Sequence, residues 1–203
     1  MIRIYRIPFS TNVERVALAL AHKGVEVEWI DVDPADRAPV RAASGQELVP
    51  VLESDGEVVA DSTAILRWLE ARHPEPPLWT RDRARQAETD VFLDWFDRVW
   101  KRPPNELEVE EAKPVPDRAR MNALATELRG SLDLFEALLD GRAFLLGDLS
   151  AADCAAFPFL KYALLHDPAD TERFHAILAE NLALDGHDRL GAWIRRVDAL
   201  PRA

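Results

Sequence analysis

The sequence predicts an α+β protein in two parts, a small first domain that mixes strands with helices and a second domain built of helices alone. Three observations carry this reading. Strand-like apolar patterns occur only before Ser62, the proline-rich run HPEPPLWT (His73 to Thr80) stops any regular element, and from Arg83 onward the apolar residues recur only at helical intervals. The first domain is placed at residues 1–73, the linker at 74–83 and the helical domain at 84–203. A chain of 203 residues with 48% hydrophobic content is long enough to bury cores in both.

The elements follow in order. Ile4 to Lys23, IYRIPFSTNVERVALALAHK, reads as a short strand, a tight corner and an amphipathic helix that ends at Gly24. Val13, Val16, Ala17, Leu20 and Ala21 supply its apolar stripe, and Thr11 with Glu14 has capping-box spacing. Val25 to Asp33 alternates as a second strand, which closes a βαβ unit. Pro34 to Gly45 is polar, with room for a short helix. Leu48–Ser54 and Glu57–Asp61 flank Asp55-Gly56 and read as a hairpin, with Pro50 demanding an edge, a bulge or a cis turn. Ser62 opens a helix whose apolar side is Ile65, Leu66, Trp68 and Leu69. Helices are then expected over Arg83–Trp100, Asp117–Leu139, Ser150–Leu165, Thr171–Leu182 and His187–Leu200. The acidic segment Asn105 to Pro116 is expected to be an exposed, mobile connection.

Composition excludes several classes of function. Net charge is −11, and no Lys/Arg cluster tracks a phosphate backbone, so nucleic acid is not an expected partner. No segment approaches the roughly 18 apolar residues of a membrane span, and the start has too short an apolar run for a signal peptide. We expect a cytoplasmic protein with no membrane partner. A single cysteine, Cys154, excludes an intrachain disulfide and a multi-thiolate metal site, and its apolar setting suits a buried, inert thiol. The five histidines show no ligand spacing, and no metal site is expected.

The first corner is the candidate for chemistry. Ser10 stands just before a helix start, where unpaired N–H groups and the helix dipole favour an anion and a hydroxyl donates one further hydrogen bond. That arrangement suits a thiolate, although a plain helix cap uses the same residue type in the same place.

The segments PFSTNVERV, LVPVL, DSTAI and LLGDLSAADCAAFPFL stand in the order in which they occur in the glutathione S-transferase superfamily, and nearly the whole chain resembles it. The resemblance implies a thioredoxin-like N-terminal domain followed by an all-α helical domain. It implies that Ser10, five residues before Arg15-Val16, hydrogen-bonds the thiolate of glutathione, the co-substrate, for attack on a hydrophobic electrophile. Val49-Pro50 matches the cis-proline pair whose backbone would bind the cysteinyl part of the peptide. Asp61-Ser62 matches the pair that would hold the γ-glutamyl end. Leu48 departs from the family's usual Lys or Gln, and Gln46, Arg37 or Arg41 is near enough in sequence to substitute. Ser150 to Asp153 resembles the family's capping box, with a folding role. The electrophile site of the family implies Phe9 and Trp100 as substrate contacts, with Phe96, Phe159 and Tyr162 as further candidates, and the short run after the last helix is expected to leave that site without a lid. A homodimer paired through the helices Ser62–Arg72 and Arg83–Trp100 is also implied, because their apolar residues exceed one stripe. Two other readings share the fold: a glutathione-dependent maleyl-type isomerase using Arg15, Lys101 or Arg102 for a dicarboxylate, and a non-catalytic binding or regulatory protein.

Overall fold

The computed structural model describes residues 1–203, the side chain of Ala84 excepted. The chain divides into two compact units, Met1–Arg81 together with Leu200–Ala203, and Asp82–Ala199.

The first unit contains β1 (Ile2–Arg6), α1 (Thr11–Lys23), β2 (Glu28–Asp31), α2 (Ala38–Ser44), β3 (Val51–Ser54), β4 (Glu57–Ala60) and α3 (Ser62–Arg72). The four strands form one sheet in the order β2-β1-β3-β4, with β2 parallel to β1 and the other two pairings antiparallel. Ile4 and Leu52 pair in register, as do Tyr5 and Val51, and all four are buried. Neighbours along a strand point to opposite faces, so both faces of the central pair are covered. α1 packs beside α3, and α2 packs on β3 and β4.

The edges of several elements differ from the sequence reading. The second strand shrinks to Glu28–Asp31, and the hairpin ladder begins only at Val51, opposite Tyr5 and Ala60. Leu48 to Pro50 lies outside the ladder, as expected where a proline has no N–H to give it. α1 is capped by Ser10, not Thr11: Ser10 is extended (φ −61°, ψ 114°), its carbonyl accepts from Glu14 N–H at 3.0 Å and its Oγ accepts from Val13 N–H at 3.3 Å. The Thr11–Glu14 spacing is not used as a box, because Glu14 bonds Arg202 instead. α1 ends at Gly24, whose φ of 63° lets its N–H turn back to the Leu20 and Ala21 carbonyls. α3 is likewise capped one residue earlier than expected, by Asp61, whose Oδ1 accepts from Ala64 N–H at 3.0 Å.

The second unit contains α4 (Arg83–Trp95), which runs on as a π-helical stretch over Phe96–Trp100, then α5 (Arg102–Glu111), α6 (Arg118–Gly130), α7 (Leu132–Leu138), α8 (Ala151–Leu160) with a 3-10 turn at Lys161–Ala163, α9 (Arg173–Asn181) and α10 (Asp188–Asp198). Two expectations are corrected. The acidic stretch from Asn105 is helical as far as Glu111, with Leu107 and Glu110 buried, because Glu110 finds partners in Lys113 Nζ (2.6 Å) and Asp117 N–H (3.0 Å). The single helix expected over Asp117–Leu139 is two. Gly130 is a weak helix former, and at the break the Ser131 hydroxyl donates back to Leu128 O at 2.6 Å.

The core of this unit is aromatic. Phe96 stacks on Trp100 at 4.5 Å between centroids, and both meet Phe135 and Phe159 edge-on. All ten residues of α8 are buried. Its box is in place: Asp153, fully buried, accepts from Ser150 N–H and Oγ–H, from Leu145 N–H and from Trp193 Nε1–H. Among the described residues, no helix is long and apolar enough to cross a membrane.

Candidate active site

The register of the sheet gathers the candidate residues of the first unit. Tyr5 at the end of β1 pairs with Val51 at the start of β3, and Val51 pairs with Ala60 at the end of β4. The corner at residues 7–10, the pair Val49-Pro50 and the pair Asp61-Ser62 therefore leave the sheet at one end. Val13, Val49, Val51 and Tyr5 also share one apolar cluster, which fixes the start of α1 against the start of β3. The Val49–Pro50 peptide is cis.

Both serines are held from inside. Ser10 Oγ accepts from Val13 N–H, and the buried Ser62 Oγ accepts from Nη1 of Arg15 at 3.4 Å. A hydroxyl has one proton to donate, and neither of these bonds uses it. Each serine is also preceded by a non-glycine residue with positive φ, Phe9 at 57° and Asp61 at 83°. Such a conformation costs an L-residue roughly 1–2 kcal/mol, and its persistence beside both hydroxyls marks a place where the surrounding structure over-determines the backbone. The Asp61 cap uses one acceptor position of a carboxylate that has about four.

A cavity of about 430 Å³ opens beside Ser10 in the first unit. Phe9, Trp29, Val13 and Ala17 give it an apolar lining, and its charged residues are paired, Arg6 with Asp31 at 2.7 Å and Arg202 with Glu14 at 3.3 Å. Arg202 and Ala203 form part of the wall, and Ala203 N–H donates to Ala17 O at 3.2 Å. The segment after the last helix thus borders a candidate pocket of the first unit.

Other expected contacts lie elsewhere. Trp100, a proposed substrate contact, is only 2% exposed; it stacks in the aromatic core of the helical unit and donates to Ser131 Oγ at 2.8 Å. Phe96, Phe159 and Tyr162 are buried there too. Phe9 stays at the pocket, 36% exposed. Gln46 turns inward: its amide donates to Leu48 O at 2.8 Å and accepts from Leu48 N–H, so it shapes the turn that presents Leu48, 76% exposed. Arg41 pairs with Glu47 and Arg37 donates to Pro34 O.

Sequence reasoning missed Arg15 as a partner of Ser62 and missed Trp29, Glu14 and Arg202 as parts of the pocket. An arginine beside the apolar stripe of α1 was a visible oddity. The contact of Arg202 with Glu14 spans 188 positions and left no local signal.

Comparison with known proteins bears on the whole chain. Residues 4–77 match the glutathione S-transferase N-terminal domain and residues 118–196 the glutathione S-transferase C-terminal domain. The maleylpyruvate isomerase of a Ralstonia species is 30% identical over 177 residues, 79% of this chain and 82% of the relative. The chain belongs to the glutathione S-transferase superfamily. It is also similar to the FtsZ-localized protein A of Caulobacter vibrioides, at 30% identity over 166 residues, 75% of this chain and 73% of that protein. Among solved structures, a glutathione S-transferase from Rhodospirillum rubrum superposes with a TM-score of 0.76 at 28% identity, covering 98% of this chain and 88% of the other. A superfamily that holds a transferase and an isomerase leaves the reaction to be argued from the residues.

Proposed function

We propose that this protein is a serine-type glutathione transferase that activates the thiol of glutathione for attack on hydrophobic electrophiles. The observation that supports it is the state of Ser10: the lone pair is engaged by Val13 N–H, the proton is left to donate, and the hydroxyl stands at the positive end of α1. A free thiol has a pKa near 8.5, and a donor at a helix N-terminus lowers it enough to populate the nucleophile at neutral pH. The thiol proton leaves to solvent, the sulfur forms a bond to the electrophilic carbon, and the leaving group departs with the electron pair of the bond that breaks.

In this reading the Val49 backbone pairs with the cysteinyl unit, while Asp61 meets the γ-glutamyl ammonium and Ser62 the carboxylate. Phe9 and the apolar cavity beside Ser10 receive the electrophile, whose character is neutral because the charges of the lining are already paired. Gln46 donates to both Ser44 Oγ and Leu48 O, so it reaches the glycine end by releasing one of them. The cations named for the isomerase reading each already have a partner: Arg15 is buried on Ser62, Lys101 lies over the Phe159 ring and near Asp97, and Arg102 is bound to Glu127.

Two measurements test the proposal. Calorimetric titration with glutathione is expected to show saturable heat, and no binding up to several millimolar would move the protein to the non-catalytic reading. Ser10→Ala is expected to keep its fold and to lose about a hundredfold in turnover with a generic aryl electrophile, since one donor to a bound anion is worth roughly 3 kcal/mol in a water-poor site. Wild-type turnover in that variant removes Ser10 from this role.

A further inference from the structure

Arg15 takes no part in the chemistry proposed above, yet it is among the largest fully buried side chains of the protein. A guanidinium is costly to enclose, so the structure around it has to repay its desolvation. One of its contacts, with Ser62, bears on the site. Arginine only donates, so in the bond from Nη1 the Ser62 oxygen is the acceptor, and the hydroxyl proton is directed to some other acceptor. Ser62 is also the first residue of α3, where unpaired N–H groups already favour an anion.

We propose that Arg15 is a positioning residue for the γ-glutamyl carboxylate of glutathione: from inside the fold it occupies the acceptor side of Ser62 and so fixes the hydroxyl as a donor facing the ligand. Its charge, permanent because guanidinium keeps its proton, adds to the field at the N-terminus of α3. The inference rests on the reading of Ser62 as the γ-glutamyl contact and assigns the group that sets its polarity. A carboxylate is the ligand chemistry such a site selects, because it accepts without donating.

The test compares glutathione with the analogue γ-aminobutyryl-cysteinyl-glycine, which lacks the α-carboxylate, by calorimetry on the full chain. Wild type is expected to prefer glutathione by at least tenfold. Arg15→Met is expected to lose at least tenfold in affinity for glutathione and less than twofold for the analogue, so the preference collapses. Ser62→Ala is expected to do the same, and the double variant to lose no more than either single one. Equal loss for both peptides in Arg15→Met, or additive losses in the double variant, would give Arg15 a merely structural role and overturn the inference. If Arg15→Met does not fold, Arg15→Lys decides: it keeps the charge and a donor and is expected to hold the preference within threefold of wild type, whereas a folded Arg15→Lys that has lost the preference overturns the inference. A wild type that binds no glutathione overturns this inference together with the reading of the site. A wild type that binds it, with an Arg15→Met variant that binds it equally well, overturns this inference alone.

Discussion

The Lys23 ammonium sits at the end of α1 with no exposed side-chain surface, and its three protons match three acceptors: Glu70 Oε2 at 2.7 Å, His73 O at 2.6 Å and Pro76 O at 3.0 Å. The same Glu70 accepts from the N–H groups of Leu78 and Trp79, so one ion pair ties the end of α3 and the proline-rich run to α1. Nothing else on these two side chains asks for a functional role. Lys23→Met keeps most of the volume and removes every donor, leaving Glu70 half-buried and two carbonyls without this partner. We expect a loss of about 3 kcal/mol, read as a lower urea midpoint with an unchanged slope. A midpoint within experimental error of wild type would show that the run is held by other means. Ser10 shows a different balance at this scale: its hydroxyl caps α1, which is worth about 1 kcal/mol, and in the proposal contributes more to the chemistry than to the fold.

At the scale of elements, α5 is the part of the chain where packing decided against composition. Its sequence is acidic and bounded by prolines, but Leu107 is buried and Glu110 receives Lys113 and the Asp117 N–H, while Val109 on the same helix is 65% exposed. Leu107→Ala is therefore expected to cost about 3 kcal/mol in global unfolding, and Val109→Ala less than about 0.5 kcal/mol. Equal, small effects would return the segment to a loosely attached loop. The turn before α9 is fixed by a buried trio. Asp170 accepts from Tyr162 Oη at 2.8 Å and from His175 Nδ1 at 2.8 Å, and the Tyr162 and His175 rings stack at 4.5 Å. Burial pushes the Asp170 carboxyl up, but the bonds from His175, Tyr162 and the Glu172 N–H together outweigh it and hold the group below the usual carboxylate range. With a lowered folded pKa, the stabilisation is present above the unfolded value of about 3.9 and is lost as pH falls through the lower folded value. Asp170→Asn should thus be less stable than wild type at pH 7, with the gap closing below about pH 4. A gap that does not depend on pH would mean that the carboxylate charge is not what matters.

For the whole molecule, the question is assembly. The reading from sequence counted an apolar surplus on two helices, and the structure absorbs much of it within the chain. Ile65, Leu66, Trp68 and Leu69 of α3 are all buried, as are Phe92, Leu93, Phe96 and Trp100. What remains includes Val99, 46% exposed, and Val91, 68% exposed, the latter beside a groove of about 430 Å³ in the helical unit lined by Phe92, Trp95, Leu134 and Leu138. That remainder supports the proposal of a homodimer, the commonest closed assembly, and the expected mass is about twice 22.9 kDa by light scattering at micromolar concentration. A mass near that of the single chain would show that intrachain packing accounts for the helix faces in full.

How far the sequence reached depended on whether the information was local. Period-2 and helical patterns, Gly24 as a helix stop, Asp55-Gly56 as a hairpin turn and the break after His73 are short-range effects, and from them the α+β class and the element order of the first unit could be read. Four short motifs added the superfamily. The caps at Ser10 and Asp61 were each displaced by one residue, because several polar residues adjoin each helix start and only the folded backbone decides which one is extended. The aromatic residues of the helical unit could not be assigned to a pocket or a core from spacing, and tertiary packing put Trp100 and its neighbours in the core. Most of all, pairs distant along the chain left no trace in any local pattern: Arg15 with Ser62, Lys23 with Glu70, Arg202 with Glu14. Sequence by itself determined which residue types stand at the corner and at the start of α3. Only the tertiary structure decided which lone pairs are already taken, and so which protons are left for a ligand, because that depends on groups brought together across tens of residues by the closing of the sheet and the packing of α1 on α3.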